Sequence, residues 1–137
     1  MAGKVQFELV SPERLLFSEP VDMVVVPGSE GDFGALPQHA PMLTSMRPGV
    51  IDVYEAGVVT NRIFVAGGFA EVTEEGLTVL AEEAIPVADI DPQSISTRLK
   101  AAERAIEEAD GDRARAEAER SLAVARAFEA AAGGGAV

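Results

Sequence analysis

Val50-Ile51-Asp52-Val53-Tyr54-Glu55-Ala56-Gly57-Val58-Val59-Thr60 reads as two strands joined by a turn. β-Branched residues dominate both halves. Glu55-Ala56-Gly57 interrupts them, and glycine supplies the turn conformation that a side chain resists. The pattern continues downstream. Arg62 to Ala66 extends the second strand as far as Gly67-Gly68. Phe69, Glu71 and Thr73 then alternate with Ala70 and Val72. Glu74-Glu75-Gly76 is another turn, before Leu77 to Leu80. Upstream, Val21 to Val26 is a β-branched run with Asp22 near its start, stopped by Pro27-Gly28. Leu15-Leu16-Phe17 follows the turn Ser11-Pro12-Glu13-Arg14. Val5, Phe7 and Leu9 alternate with Gln6 and Glu8, the mark of a half-buried strand. Short strands with a turn signal about every 8 to 12 residues predict an all-β sandwich of about ten strands.

The character changes at Asp89. Asp91-Pro92 is a helix start, with Asp to cap free N–H groups and Pro at the first helical position. Ile95, Leu99, Ala102, Ile106 and Ala109 recur at three- and four-residue steps on one helix face. Asp110-Gly111-Asp112 breaks that helix, and Asp112 is expected to cap the next. There Ala114, Ala118, Ala125, Phe128 and Ala132 share a face, with Leu122 on its flank and Ser121 inside the stripe. Arg113–Glu117 and Arg115–Glu119 stand at ion-pair spacing outside it. Gly133-Gly134-Gly135 is expected to form a flexible tail. The expected organisation is a sandwich over residues 1–88 and an antiparallel helical hairpin over 89–137. The hairpin seam is mostly Ala, and each buried methylene forgone costs roughly 0.8 kcal/mol. Two readings follow: a hairpin that docks weakly on the sandwich, or one that is permanently docked and merely Ala-rich.

Of 137 residues, 47% are hydrophobic and only 5% aromatic, so the core is aliphatic. The net charge is −12, which disfavours nucleic acid as a partner because phosphate is repelled. The charge is uneven: 13 acidic against 4 basic residues up to Ala88, and 10 against 7 beyond it. Cysteine is absent, so disulfides and thiolate chemistry are excluded. No signal peptide is visible, and no run approaches the roughly 20 apolar residues of a membrane span.

Candidate chemistry is sparse. Gly28-Ser29-Glu30-Gly31-Asp32-Phe33-Gly34 lacks the Gly-Lys-Ser/Thr of a phosphate-binding loop and the spacing of a dinucleotide fingerprint. It reads as a turn whose glycines take positive φ. His39 is the only histidine, so neither a triad nor a histidine-rich metal site assembles, and a Glu30/Asp32/His39 metal site is weak. Glu74-Glu75 and Glu82-Glu83 are adjacent, so in a strand each pair points to opposite faces. No catalytic residue, cofactor or metal is expected. What remains is an acidic loop, Gly28 to Pro41, stiffened by Pro37 and Pro41 and suited to partner contact.

At this loop the chain resembles a known family. Val10-Ser11-Pro12-Glu13, Phe17-Ser18, the run from Pro27 through Pro41, Arg47-Pro48-Gly49, Ala66 through Val72 and Val79-Leu80-Ala81-Glu82 occur in the order and spacing of the epsilon subunit of F-type ATP synthases. The match covers about Val5 to Ile90, and the hairpin matches in architecture and length. The resemblance implies a non-catalytic rotor subunit of the central stalk in a proton-translocating ATP synthase. It would bind the gamma subunit on one side and the c-ring at one end. It would sit peripherally on the cytoplasmic face of the inner membrane, with no insertion of its own. The family's ring-contact loop falls on Glu30, Asp32 and His39, where acidic groups can face a basic loop of the ring. The hairpin is implied to extend toward the alpha/beta catalytic head and restrain ATP hydrolysis. Arg98, Arg104, Arg113, Arg115, Arg120 and Arg126 could then face an acidic segment of the head.

One departure bears on nucleotide. Some members bind ATP through an Ile-Asp-x-x-Arg-Ala motif. Here Ile90-Asp91-Pro92-Gln93-Ser94-Ile95 puts Ser94 and Ile95 where Arg-Ala would stand, so weak or no ATP binding is expected. Two other functions fit less well: a stand-alone ligand-binding sandwich, which the single Tyr and absent Trp disfavour, and a nucleotide-sensing module, which the missing Arg disfavours.

Overall fold

A computed structural model describes residues 3–134 and divides into two compact units, Met1–Pro86 and Val87–Val137. The first is all strand: β1 (Val5–Val10), β2 (Leu15–Val21), β3 (Met23–Gly28), β4 (Gly31–Ala35), β5 (Met42–Met46), β6 (Gly49–Glu55), β7 (Val58–Val65), β8 (Gly68–Thr73), β9 (Gly76–Ala81) and β10 (Ala84–Pro86). They follow the order β10-β7-β6-β3-β5-β8-β9-β1-β2, with β4 paired to β3. Only Gly28↔Met46 joins β3 to β5, so the sheet folds over there into two layers. β1 and β9 run parallel; the other pairs are antiparallel.

Period-2 alternation builds the core. Val5, Phe7 and Leu9 of β1, Leu77 and Val79 of β9, Ala70 and Val72 of β8, Ile51 and Val53 of β6, and Val24 and Val26 of β3 all turn inward into one cluster. Aliphatic residues suffice because each strand contributes a whole row. Phe7 tilts against Phe17 at 5.1 Å between centroids. At about 25 cal/mol per Å2 of buried apolar surface, these rows are what hold the layers together.

Three local expectations are corrected. The run Val21–Val26 is not one strand: the chain breaks at Asp22, between β2 and β3. There the Asp22 N–H donates to the Tyr54 carbonyl (3.1 Å) and to Glu55 Oε1 (3.0 Å), while its carboxylate accepts from the Ala56 N–H (2.7 Å). Pro27-Gly28 does not stop β3 either. Pairing with β6 ends at Val25↔Asp52, so no ladder bond on that side requires the N–H that Pro27 lacks. Consequently Gly28 to Gly34 is not a loop but the tip of the β3–β4 hairpin, and of its glycines only Gly31 has positive φ (135°). The β6–β7 hairpin forms around Ala56 (φ 52°) and Gly57 (φ 82°), both left-handed, as a two-residue turn of matching twist requires.

The second unit begins with a 3-10 turn at Val87–Asp89, followed by α1 (Pro92–Glu108) and α2 (Asp112–Gly134). Asp91 caps α1, accepting from the Gln93 N–H at 3.0 Å. Ala109 is its extended C-cap rather than part of the stripe. Asp112 is the first residue of α2, not its cap. Gly111 (φ 92°) precedes it, and its carbonyl accepts the Arg115 N–H at 3.1 Å. Ala102, Ala118, Ala125 and Phe128 are buried. Ala132 is exposed, because it lines an open groove with Ile95 and Leu99 that its methyl is too small to fill; Ala131 is buried instead. Gly133 and Gly134 continue α2, and the rest of the expected tail lies outside the described residues. Among the described residues no helix is long and apolar enough to cross a membrane.

Candidate partner-binding surfaces

The turn Ser29-Glu30 closes the β3–β4 hairpin at one end of the sandwich. Its two strands approach so closely that a Cβ on Gly28 would lie 2.7 Å from the Gly31 carbonyl oxygen. Arg47, between β5 and β6, reaches this turn from outside. Its N–H donates to the Pro27 carbonyl (3.0 Å) and Nη1 to the Gly28 carbonyl (2.6 Å), while Nη2 pairs with Asp32. On the same edge of β3, two residues before Arg47, the Ser29 N–H donates to the Ser45 carbonyl and the two hydroxyls meet, each contact at 2.9 Å. Glu30 projects from this frame exposed, and no ion pair engages it among the described residues.

Glu30, Asp32 and His39 are not brought together as one loop. β4 runs away from the turn, so His39 lies in the connection beyond its far end, in a turn where its N–H donates to the Leu36 carbonyl at 3.1 Å. Its ring faces that of Phe33 at 6.3 Å, and Nδ1 donates to the Ala40 carbonyl at 2.6 Å. Phe33 and Asp32 are neighbours in a strand and point to opposite faces. His39 therefore accompanies Phe33, and Asp32 accompanies Arg47. Among the described residues no group of three His, Asp or Glu stands close enough to hold a metal.

A second surface was not visible in the sequence. Phe69 pairs with Leu80, Leu80 with Val10, and Val10 with Leu15. These four stand in one rung across β8, β9, β1 and β2, on the face away from the core. Phe69 (55%), Leu80 (55%) and Leu15 (56%) are more than half exposed. Single exposed apolar residues are ordinary; an aligned row of them marks a contact surface. The available signal was that Phe69 and Leu80 are apolar at positions where alternation calls for polar residues.

A third group sits at the opposite end of the sandwich. Lys4 Nζ pairs with Asp22 (2.8 Å) and Glu55 (3.0 Å), tying the N-terminal strand to the β6–β7 turn. Hydrogen bonds from Lys4 and then from the Ala56 N–H hold the Asp22 carboxyl below its ordinary value. The hydrogen bonds to Asp22 and Glu55 hold the Lys4 ammonium above its own.

In the hairpin, the Arg98 guanidinium lies 4.3 Å from the centroid of the Phe128 ring, joining α1 to α2. Arg104, Arg113, Arg115, Arg120 and Arg126 are exposed, and neither Arg113–Glu117 nor Arg115–Glu119 closes to an ion pair. Asp91 is occupied as a cap. Ser94 Oγ donates to the Asp91 carbonyl at 2.6 Å, and Ile95 and Ile90 are partly or fully buried.

The family model described as the ATP synthase delta/epsilon chain, β-sandwich domain, matches residues 4–87. An ATP synthase epsilon chain of Paramagnetospirillum magneticum is 60% identical over 131 residues, covering 96% of this chain and 98% of the relative. One of Rhodospirillum rubrum is 57% identical with the same coverage. Among solved structures, a chain of the Euglena gracilis mitochondrial ATP synthase, in an assembly of OSCP, F1 and c-ring, superposes with a TM-score of 0.79. It is 26% identical, over 96% of this chain and 82% of that one. A chain of the Tetrahymena thermophila central stalk and c-ring structure shares the fold, with a TM-score of 0.71 at 14% identity, over 95% and 98% of the two chains.

Proposed function

From the premise that the chain belongs to the ATP synthase delta/epsilon family, with ATP synthase epsilon chains as its relatives, we propose that it is a non-catalytic rotor component of the central stalk. The observation that carries this is the rung Phe69–Leu80–Val10–Leu15. A flat apolar face of this kind suits a long-lived contact with the gamma subunit, since burying it removes apolar surface from water without any moving part. The Glu30 end of the sandwich faces the c-ring, with Asp32 beside it and His39 on the Phe33 side. Its stiffness suits a part that transmits torque. The chain is peripheral to the inner membrane through these partners. The exposed arginines Arg104, Arg113, Arg115, Arg120 and Arg126 offer cationic side chains to an acidic segment of the alpha/beta head, and through it a restraint on ATP hydrolysis. No nucleotide site is assigned: Asp91 and Ser94 are spent on capping α1, and no Arg occupies the motif position.

The test is co-purification. The pair Phe69→Glu and Leu80→Glu changes two outward side chains, so the isolated chain should keep its circular dichroism and melting midpoint. It should no longer retain gamma or the head subunits. Retention at the unsubstituted level sinks the reading.

A further inference from the structure

We propose that Arg47 is the positioning residue of the acidic end: it holds the β3–β4 turn in place and neutralises Asp32, leaving Glu30 as the carboxylate presented to a cationic partner. This rests on the reading of that end as ring-facing.

The geometry is specific. A single guanidinium spans both strands of the hairpin, donating to the Gly28 carbonyl on β3 and pairing with Asp32 on β4, while the backbone of the same residue is fixed by Pro27. Arginine is suited to this because its fork offers donors in one rigid plane; lysine is a point charge and cannot serve both acceptors in the same way. The turn has no room for a side chain at Gly28, where a Cβ would lie 2.7 Å from the Gly31 carbonyl oxygen. Ser45 adds a second tie on the same edge through Ser29. Of the tip's side chains, Ser29 and Asp32 thus have a partner within the chain, and Glu30 has no ion pair among the described residues.

The electrostatic consequence follows. A cation approaching Asp32 meets the charge of Arg47 at contact distance, so the pair presents little net field. Glu30 has no such counter-charge. A surface pair of this kind contributes little to global stability. Its effect is local: it restricts the turn from which Glu30 projects, and a positioned charge loses less freedom on binding than a mobile one.

The experiment combines amide hydrogen exchange on the full chain with proton pumping by the assembled complex. Arg47→Ala should speed exchange at Ser29, whose N–H bonds the Ser45 carbonyl, about tenfold and lower pumping per ATP hydrolysed. Asp32→Asn should do both. Glu30→Gln should lower pumping and leave exchange unchanged. Unchanged exchange in Arg47→Ala overturns the proposal. So does lost pumping in Asp32→Asn with exchange at the unsubstituted rate, because Asp32 would then be the contact itself. If exchange responds as expected but neither Glu30→Gln nor Arg47→Ala alters pumping, the ring-facing role is overturned, and the failure lies in that reading rather than in the fixing of the turn.

Discussion

The Ser45 hydroxyl donates to the Ser29 hydroxyl at 2.9 Å, and through this contact two different surfaces of the sandwich meet. Ser29 stands beside Glu30 in the β3–β4 turn. Ser45 is the cross-strand partner of Phe69, the first residue of the exposed apolar rung. The acidic end and the apolar face are therefore one continuous surface, joined where the sheet folds over at Gly28↔Met46. A load applied at Glu30 reaches the apolar face through a hydrogen-bonded ladder, with no flexible linker in between.

Stability should depend on pH at both extremes through Lys4 and Asp22. The Asp22 carboxyl is depressed below 3.8 in the folded chain, so its contribution is complete above that value and is lost as pH falls through the folded value. The Lys4 ammonium is raised above 10.5, so its contribution is complete below that value and is lost as pH rises through the folded one. The urea midpoint of Lys4→Met should be lower than that of the unsubstituted chain between these limits, and the two should converge at either extreme. Parallel curves across the whole range would count against the cluster.

Ala56 sits at φ 52°, a conformation that costs an L-residue other than Asn, Asp or Gly roughly 1 kcal/mol. Ala56→Asn keeps the N–H that bonds Asp22 and supplies the residue preferred at this turn position. It should stabilise the chain by about 0.5–1 kcal/mol in chemical denaturation. A loss of stability would mean that the turn is held by its surroundings rather than by its own preference.

Arg98 and Phe128 link the two helices. A double-mutant cycle with Arg98→Gln and Phe128→Leu, read by amide exchange in α1 and α2, should give a coupling of about 0.5–2 kcal/mol. Additive effects within about 0.3 kcal/mol would show that the stacking carries no energy of its own.

All ten strands, β1 to β10, lie within residues 5–86. A chain ending at Asp89 should therefore keep its β-type circular dichroism and still join the complex. If the hairpin restrains the head, complexes with the shortened chain should hydrolyse ATP faster. Equal rates would remove the restraint from the proposed function.

Alternation in β1, β6, β8 and β9, the Ala56-Gly57 turn and the Asp91-Pro92 helix start were legible because each depends on neighbours in the chain. Period-2 burial, left-handed turns and capping are decided within a few residues. β4, β5 and β10 were missed. Met42-Leu43-Thr44-Ser45-Met46 has no β-branched run and turns Leu43 to solvent, and Ala84-Ile85-Pro86 becomes a strand only by lying against Ile63–Val65 of β7. Asp22 broke a run that looked continuous because its partners, Tyr54, Glu55 and Ala56, are more than thirty residues away in sequence.

The same division holds for function. The sequence alone determined that this is a sandwich followed by a helical hairpin, acidic, without thiol chemistry and with an exposed acidic turn, because composition and local pattern are properties of the chain. Only the tertiary structure decided that Asp32 is matched by Arg47, that His39 parts company with it, and that Phe69, Leu80, Val10 and Leu15 align. These are relations between strands distant in sequence, and pairing register, which no local pattern encodes, fixes them.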